Sequence, residues 1–182
     1  MIDDNGPGAV TLGADDRALA VAAVKAVLRV ASGDEDDLIA AFAESALGLA
    51  EQFTGRVMIA RALRESVTAR GGWQRLGARP VRAISAVETR GGSALSAERY
   101  AIDIDAAGEG WVRVGGGGLV VVRYAAGLAV EWAGLPAPLR QGVALLAAYL
   151  FDERDASVAP PAAVTALWRP FRRVTLRGSV RC

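Results

Sequence analysis

The sequence predicts an α+β fold: a four-helix bundle-like core with a β-rich, antiparallel insertion between helices 2 and 3, over residues 57–130 of a single 182-residue domain. Three observations predict it. Apolar residues recur at helical spacing ahead of Gly55 and again after Pro136. Between them the helical period gives way to short β-type runs divided by glycine turns. Hydrophobic residues make up 52% of the chain and charged ones 23%, enough apolar material to close a core without disulfides or metals.

Residues 1–13 are Gly-rich and are expected to be loose. A first helix is expected from about Asp15 to Val30, with Leu19, Ala23, Val27 and Val30 at helical spacing. Ser32-Gly33-Asp34-Glu35 then stops one helix and starts another. Ser32 and Glu35 have capping-box spacing, and the acids Asp34 to Asp37 suit a helix N-terminus. The second helix, to about Phe53, is expected to bury Leu38, Phe42, Ala46, Leu49 and Phe53, and Gly55 to end it.

Five β-type runs follow: Met58–Arg70, Val81–Thr89, Tyr100–Ile104, Trp111–Val114 and Leu119–Tyr124. Their spacing suggests an antiparallel sheet or a small sandwich. Pro136-Ala137-Pro138 sets up a third helix burying Leu139, Val143, Leu146 and Leu150, because proline is tolerated in the first turn. Pro160-Pro161 opens a short fourth helix with Val164, Leu167, Trp168 and Phe171 on one side, ended or kinked by Pro170. A basic tail covers residues 172–182. The two helical pairs close one bundle only if the β segment loops out and returns.

Composition argues against an enzyme. With no His, serine triads and imidazole-based metal sites are excluded. The single Cys is Cys182, so there is no disulfide framework, Cys-type zinc site or CxxC motif. Gly115 to Gly118 lack the Lys-Ser/Thr of a phosphate loop and lead into a strand, so they read as a hairpin turn. Asp103 and Asp105 would share one strand face, about 6.6 Å apart along it. They read as a solvent face opposite buried Ile102 and Ile104 before they read as paired carboxylates. Asp34 to Asp37 lack EF-hand spacing. A serine–lysine pair would have to recruit Lys25 from an amphipathic helix. No catalytic, cofactor-binding or metal site is expected.

Charge is unevenly placed. Residues 1–55 hold ten acids and three bases, a net −7; the remainder holds ten acids and eighteen bases, a net +8. No acid follows Asp155, whereas Arg169, Arg172, Arg173, Arg177 and Arg181 do. Such asymmetry suits an acidic partner or nucleic acid, or is a solvated tail. All bases but Lys25 are Arg. The acidic N-terminus carries no signal-peptide pattern. The longest apolar run near a helix, Val143 to Phe151, is shorter than the roughly 20 residues of a membrane span. Bacterial cytoplasmic synthesis without membrane association is expected. Trp168 and Phe171 with the tail arginines have the composition of an interface anchor, though the two aromatics also suit the bundle core; one helix can serve both with different faces.

Glu51-Gln52-Phe53-Thr54-Gly55-Arg56, closing a helix, resembles the Glu-x-Tyr-Thr-Gly-Arg signature of phage head–tail connector (adaptor) proteins, found in long-tailed phages and phage-derived gene transfer agents. Further matches follow in the family's order: Trp73; Pro80-Val81 with Ile84 and Val87; Tyr100; Tyr124-Ala125-Ala126-Gly127; Pro136; Leu139-Arg140-Gln141-Gly142-Val143; Arg154; and Leu167 with Pro170-Phe171-Arg172. The resemblance covers residues 15–173, and its specificity lies in the order and spacing of individually weak motifs. Phe53 and Phe171 stand where Tyr is usual, keeping the ring and losing a hydroxyl. Arg79 precedes Pro80-Val81 where a shorter apolar turn is common.

The resemblance implies a non-enzymatic adaptor: a homo-oligomeric, dodecameric ring beneath the capsid portal protein, in the neck of a virion or virus-like particle. It implies that the ring extends the DNA channel, passes DNA without tight binding, and is the platform for the next connector, stopper or tail-terminator protein. It places portal docking on Trp168, Arg169, Phe171, Arg172, Arg173, Arg177 and Arg181. It makes Thr54, Gly55 and Arg56 a structural turn, Gly55 ending the helix and Arg56 reaching carbonyls or an acid. A channel that must release DNA should avoid phosphate contacts, so Asp34, Asp36 and Asp37 are candidates for the channel or the subunit interface. The competing reading is a DNA-binding module using the Arg-rich C-terminal tail; the acidic N-terminal half and the scarcity of Lys weigh against it.

Overall fold

The computed structural model describes residues 6–153 and 161–172. Its helices are α1 (Ala14–Leu28), α2 (Asp36–Thr54), α3 (Ala137–Asp152) and α4 (Ala162–Trp168), the last continued by a 3-10 turn over Arg169–Phe171. Between α2 and α3 lie β1 (Arg61–Thr68), β2 (Trp73–Arg75), β3 (Val81–Thr89), β4 (Tyr100–Ile104), β5 (Gly110–Val114) and β6 (Leu119–Ala126). This is the expected helical core with an antiparallel β insertion.

The insertion loops out and returns through a narrow neck. Its entering residues hydrogen-bond to its leaving ones: Leu128 N–H donates to the Val57 carbonyl at 2.9 Å, Ala129 N–H to Met58 at 3.0 Å, and Ala60 N–H to Ala129 at 2.8 Å. Gly127 is required here, because a side chain on it would collide with the backbone of Ala60. Beyond this neck the strands form two antiparallel sheets, ordered β1-β6-β3 and β2-β5-β4.

Each half has its own apolar core. The helices bury Val24, Ile39, Ala43, Leu47, Leu139, Val143, Leu146 and Trp168 together. The two sheets enclose Val57, Leu63, Leu76, Val87, Val112, Val122 and Tyr124.

Three expectations are corrected. First, the buried sides of α1 and α2 are rotated from the expected stripes. α1 buries Ala20, Val21 and Val24, while Leu19, Val27 and Val30 face solvent. α2 buries Ile39, Ala43, Ala46, Leu47 and Ala50, while Leu38 and Leu49 face solvent. Both helices are Ala-rich on several sides, so spacing alone admits more than one stripe; the small residues win the interior because they let helix backbones approach closely. Second, the capping box does not form. Glu35 makes no side-chain cap bond, and the Ser32 hydroxyl donates to Asp34 at 2.6 Å. Third, Ile102 and Ile104 are not buried opposite the aspartates: β4 is an edge strand that the larger sheet leaves uncovered.

Candidate functional site

The signature segment sits where the two halves meet. Glu51 lies on the inner side of α2, seven residues after Glu44, with Gly48 between them. Its carboxylate is fully buried. Arg61, at the start of β1, donates through both terminal nitrogens, one to each carboxylate oxygen, at 2.8 Å. Met58 N–H donates to Oε1 at 2.9 Å and Gly8 N–H to Oε2 at 2.8 Å. One side chain thus ties together the last turn of α2, the neck of the insertion and the N-terminal segment. A buried carboxylate tolerates this position only because every oxygen is supplied with donors.

The N-terminal segment, expected to be loose, is pinned along α2 over its described residues. Leu12 N–H donates to Glu44 at 2.8 Å, and Arg61 reaches the Gly6 carbonyl at 2.9 Å. Gly48 leaves room for the Gly8 backbone.

Thr54, Gly55 and Arg56 form the helix end. Thr54 is buried, its hydroxyl donating to the Ala50 carbonyl at 2.8 Å. Gly55 takes a left-handed φ of 67° and its N–H donates to the Glu51 carbonyl at 2.8 Å, a C-cap that favours glycine. Arg56 N–H shares that carbonyl at 3.3 Å, and its side chain lies beside Arg79 and Pro80. Arg79, the departure from the family pattern, is a second clasp. Its Nε donates to the Gly55 carbonyl at 2.9 Å and its Nη1 to Glu109 at 2.8 Å, joining the end of α2 to the turn before β5.

The C-terminal aromatics divide. Trp168 is only 3% exposed, and its indole N–H points at the Leu139 carbonyl, 3.4 Å away. It lies over Gly142, where any side chain would displace it. Its ring sits 6.0 Å from that of Phe53. Trp168 is therefore a core anchor of α4 and offers no free face for docking. Phe171 is half-buried against the same core, whereas Arg169 and Arg172 are exposed. The Arg172 guanidinium lies 5.4 Å from the Phe53 ring centre. Arg173, Arg177, Arg181 and Arg154 lie outside the described residues.

Asp34, Asp36 and Asp37 cluster where α2 begins. Lys25 of α1 donates to Asp36 at 2.7 Å and Arg17 to Asp37 at 2.9 Å, so two of the three acids clamp α1 to α2. Asp103 is exposed, and Asp105 is used locally. Asp105 accepts from Ala107 N–H and Glu109 N–H, each at 2.9 Å, and from the Trp111 indole at 3.2 Å. Gly115 to Gly118 join β5 to β6, but these strands lie in different sheets and do not pair, so the run is a crossover between sheets and not the expected hairpin turn. Among the described residues no three His, Cys, Asp or Glu side chains gather as a metal site, and no helix is long and apolar enough to cross a membrane.

Sequence spacing missed Arg61 and the pinning role of Glu44 and Glu51. The available signal was two acids seven residues apart on the small-residue side of α2, a placement that demands buried partners.

No protein-family model matches the chain, and no curated protein does. Solved structures do. The chain is 27% identical, at a TM-score of 0.77, to a protein of the neck of an empty gene transfer agent (GTA) particle computed with C6 symmetry. It is 26% identical, at 0.73, to one in the neck of a native GTA particle computed with C12 symmetry. To one in the virion of a native GTA particle it is 25% identical, at 0.75. Each match covers 98% of both chains.

Proposed function

We infer function from the premise that this chain belongs to the phage-type head–tail connector family that includes the neck proteins of gene transfer agents: it is a structural, ring-forming adaptor of the particle neck and not an enzyme. The observation that carries this is likeness over 98% of both chains, so helical core and β insertion match as one unit.

The finer reading is ours. Twelve copies close a ring below the portal protein, continue its DNA channel, and present their far side to the next connector, stopper or tail-terminator protein. The neck computed with C12 symmetry supports that number. Portal docking falls to the exposed Arg169 and Arg172, with Phe171 at their base and the tail bearing Arg173, Arg177 and Arg181 beyond. Trp168 contributes by fixing α4 to the bundle, so that the tail leaves from a rigid point. DNA passes without tight binding. The protein is made in the bacterial cytoplasm before joining the particle.

The test is electron microscopy of the full chain mixed with its portal. The reading predicts a closed ring capping the portal, and portals that stay bare would overturn it.

A further inference from the structure

Apart from Asp15, Asp16, Arg17 and Lys25, α1 is apolar, yet its own chain covers only one side of it. Ala14, Ala18, Ala22 and Ala26 recur four apart along its outer side, with Leu19 47% and Val27 40% exposed beside them. This side opens onto a groove of about 870 Å³ between α1 and the start of α2. An exposed apolar stripe along a helix is stabilised by being covered. Its nearest charges are largely matched already, through Lys25–Asp36 and Arg17–Asp37. What remains is Arg29 in the groove's lining and Asp34 and Glu35 at the corner beside it, all exposed, a net charge of −1.

The small sheet carries the opposite character. In its register Trp73, Arg113 and Ala101 form one rung, and Arg75, Trp111 and Asp103 the next, on the side away from the β core. Arg113 stacks on Trp73 at 5.2 Å. Arg113 and Arg99 line a cleft of about 250 Å³ with Glu98, Tyr100 and Gly71, a net charge of +1, and neither arginine pairs with a carboxylate among the described residues. Trp and Arg together are the residues that most often anchor protein–protein contacts.

We propose that these two surfaces meet between neighbouring copies: the α1 groove of one subunit receives the Trp73–Arg113 rung of the next, with Asp34 and Glu35 facing Arg99 and Arg113. The proposal rests on the ring reading and goes beyond it by naming both faces. A ring needs two different, complementary patches on one chain. Here one lies on the helical core and the other on the β core, one acidic at its edge and the other basic. The acids at the start of α2 then belong to the subunit interface.

Crosslinking in a Cys182→Ser background tests it on portal-assembled rings. Chains carrying both Ala22→Cys and Ala101→Cys, treated with a short bismaleimide, are expected to give a ladder of covalent oligomers. Mixed singly substituted chains should stop at dimers, and either single variant alone should stay monomeric. Rings that form but give no ladder, or dimers from Ala22→Cys alone, would overturn the proposal.

Ala22→Arg places a charge on an exposed helix position, so melting should not change while ring formation is lost. Reversing Arg99 and Arg113 to Glu should raise the concentration needed for assembly by about tenfold or more, and Asp34→Arg with Glu35→Arg should restore it. Rings that survive Ala22→Arg, that lose only portal binding, or that lose only DNA retention on arginine reversal would assign these faces to the portal or to DNA and overturn the proposal. If the unmodified chain forms no ring, the functional reading itself fails; if it does and the variants behave as it does, only this proposal fails.

Discussion

Arg61 grips Glu51 with both guanidinium arms, each at 2.8 Å, in a site where the carboxylate is cut off from water. Two backbone amides, from Gly8 and Met58, complete the carboxylate's shell. The ion pair holds the helical half to the β half, and the signature helix end is built around it.

Breaking that pair from one side strands a buried charge. Arg61→Met should therefore destabilise the chain by about 3–5 kcal/mol, and Glu51→Ala by a similar amount. Denaturant unfolding checks this, and a loss below about 1 kcal/mol would show that the junction is held by apolar packing instead.

Gly142 is the seat of Trp168. Gly142→Val should push the indole out of the core and loosen α4, costing about 1–3 kcal/mol through overpacking. The readouts are the melting temperature and a red shift in tryptophan emission. An unchanged melting temperature would contradict the packing.

How much of this was legible in the sequence differs by element. Among the described residues, four helices and five of six strands fall where periodicity places them, because glycine and proline bound each run. β2 was missed: Trp73-Gln74-Arg75 is too short and polar to show a pattern, and it is a strand only because β5 pairs with it. The phase of α1 and α2 is not legible in spacing, because Ala supports several stripes and the larger Leu and Val residues mark a side other than the one that packs. Gly127 and Gly142 stood out as residues in motifs, but the Ala60 backbone and the Trp168 ring that require them are distant in sequence. The same distance hid Arg61 from Glu51. Of the arginines proposed for portal docking, Arg169 and Arg172 are exposed; Trp168 belongs to the core, because its chain neighbours Val164 and Leu167 turn the same side of α4 inward.

That division sets where the tail can be cut. Removing residues 173–182 should abolish portal binding with little effect on melting, since Trp168 and Phe171 remain seated. Removing residues 168–182 should also destabilise the bundle, by about 3–5 kcal/mol for the lost indole alone. Pull-down by portal, beside thermal melts of both truncations, distinguishes the two; full portal binding by the shorter cut would move docking elsewhere.

Tyr124 supplies a pH dependence. Burial foremost, then the neighbouring Glu65 carboxylate to which it donates at 2.9 Å, pushes its phenol above the ordinary tyrosine range. The folded state thus keeps a proton that the unfolded state releases. Its contribution is fully present below the ordinary tyrosine pKa of about 10 and is lost as pH rises beyond it. Tyr124→Phe should flatten the alkaline fall in stability over that window. A slope equal to that of the unmodified protein would rule the phenol out as its source.

The central claim is that identical copies of this chain close into the collar of a particle neck. Symmetry-free reconstruction of the neck, from particles carrying this chain, measures it directly. The account predicts a closed ring of twelve copies seated against the portal, and a neck in which this chain is absent or forms no closed ring would contradict it.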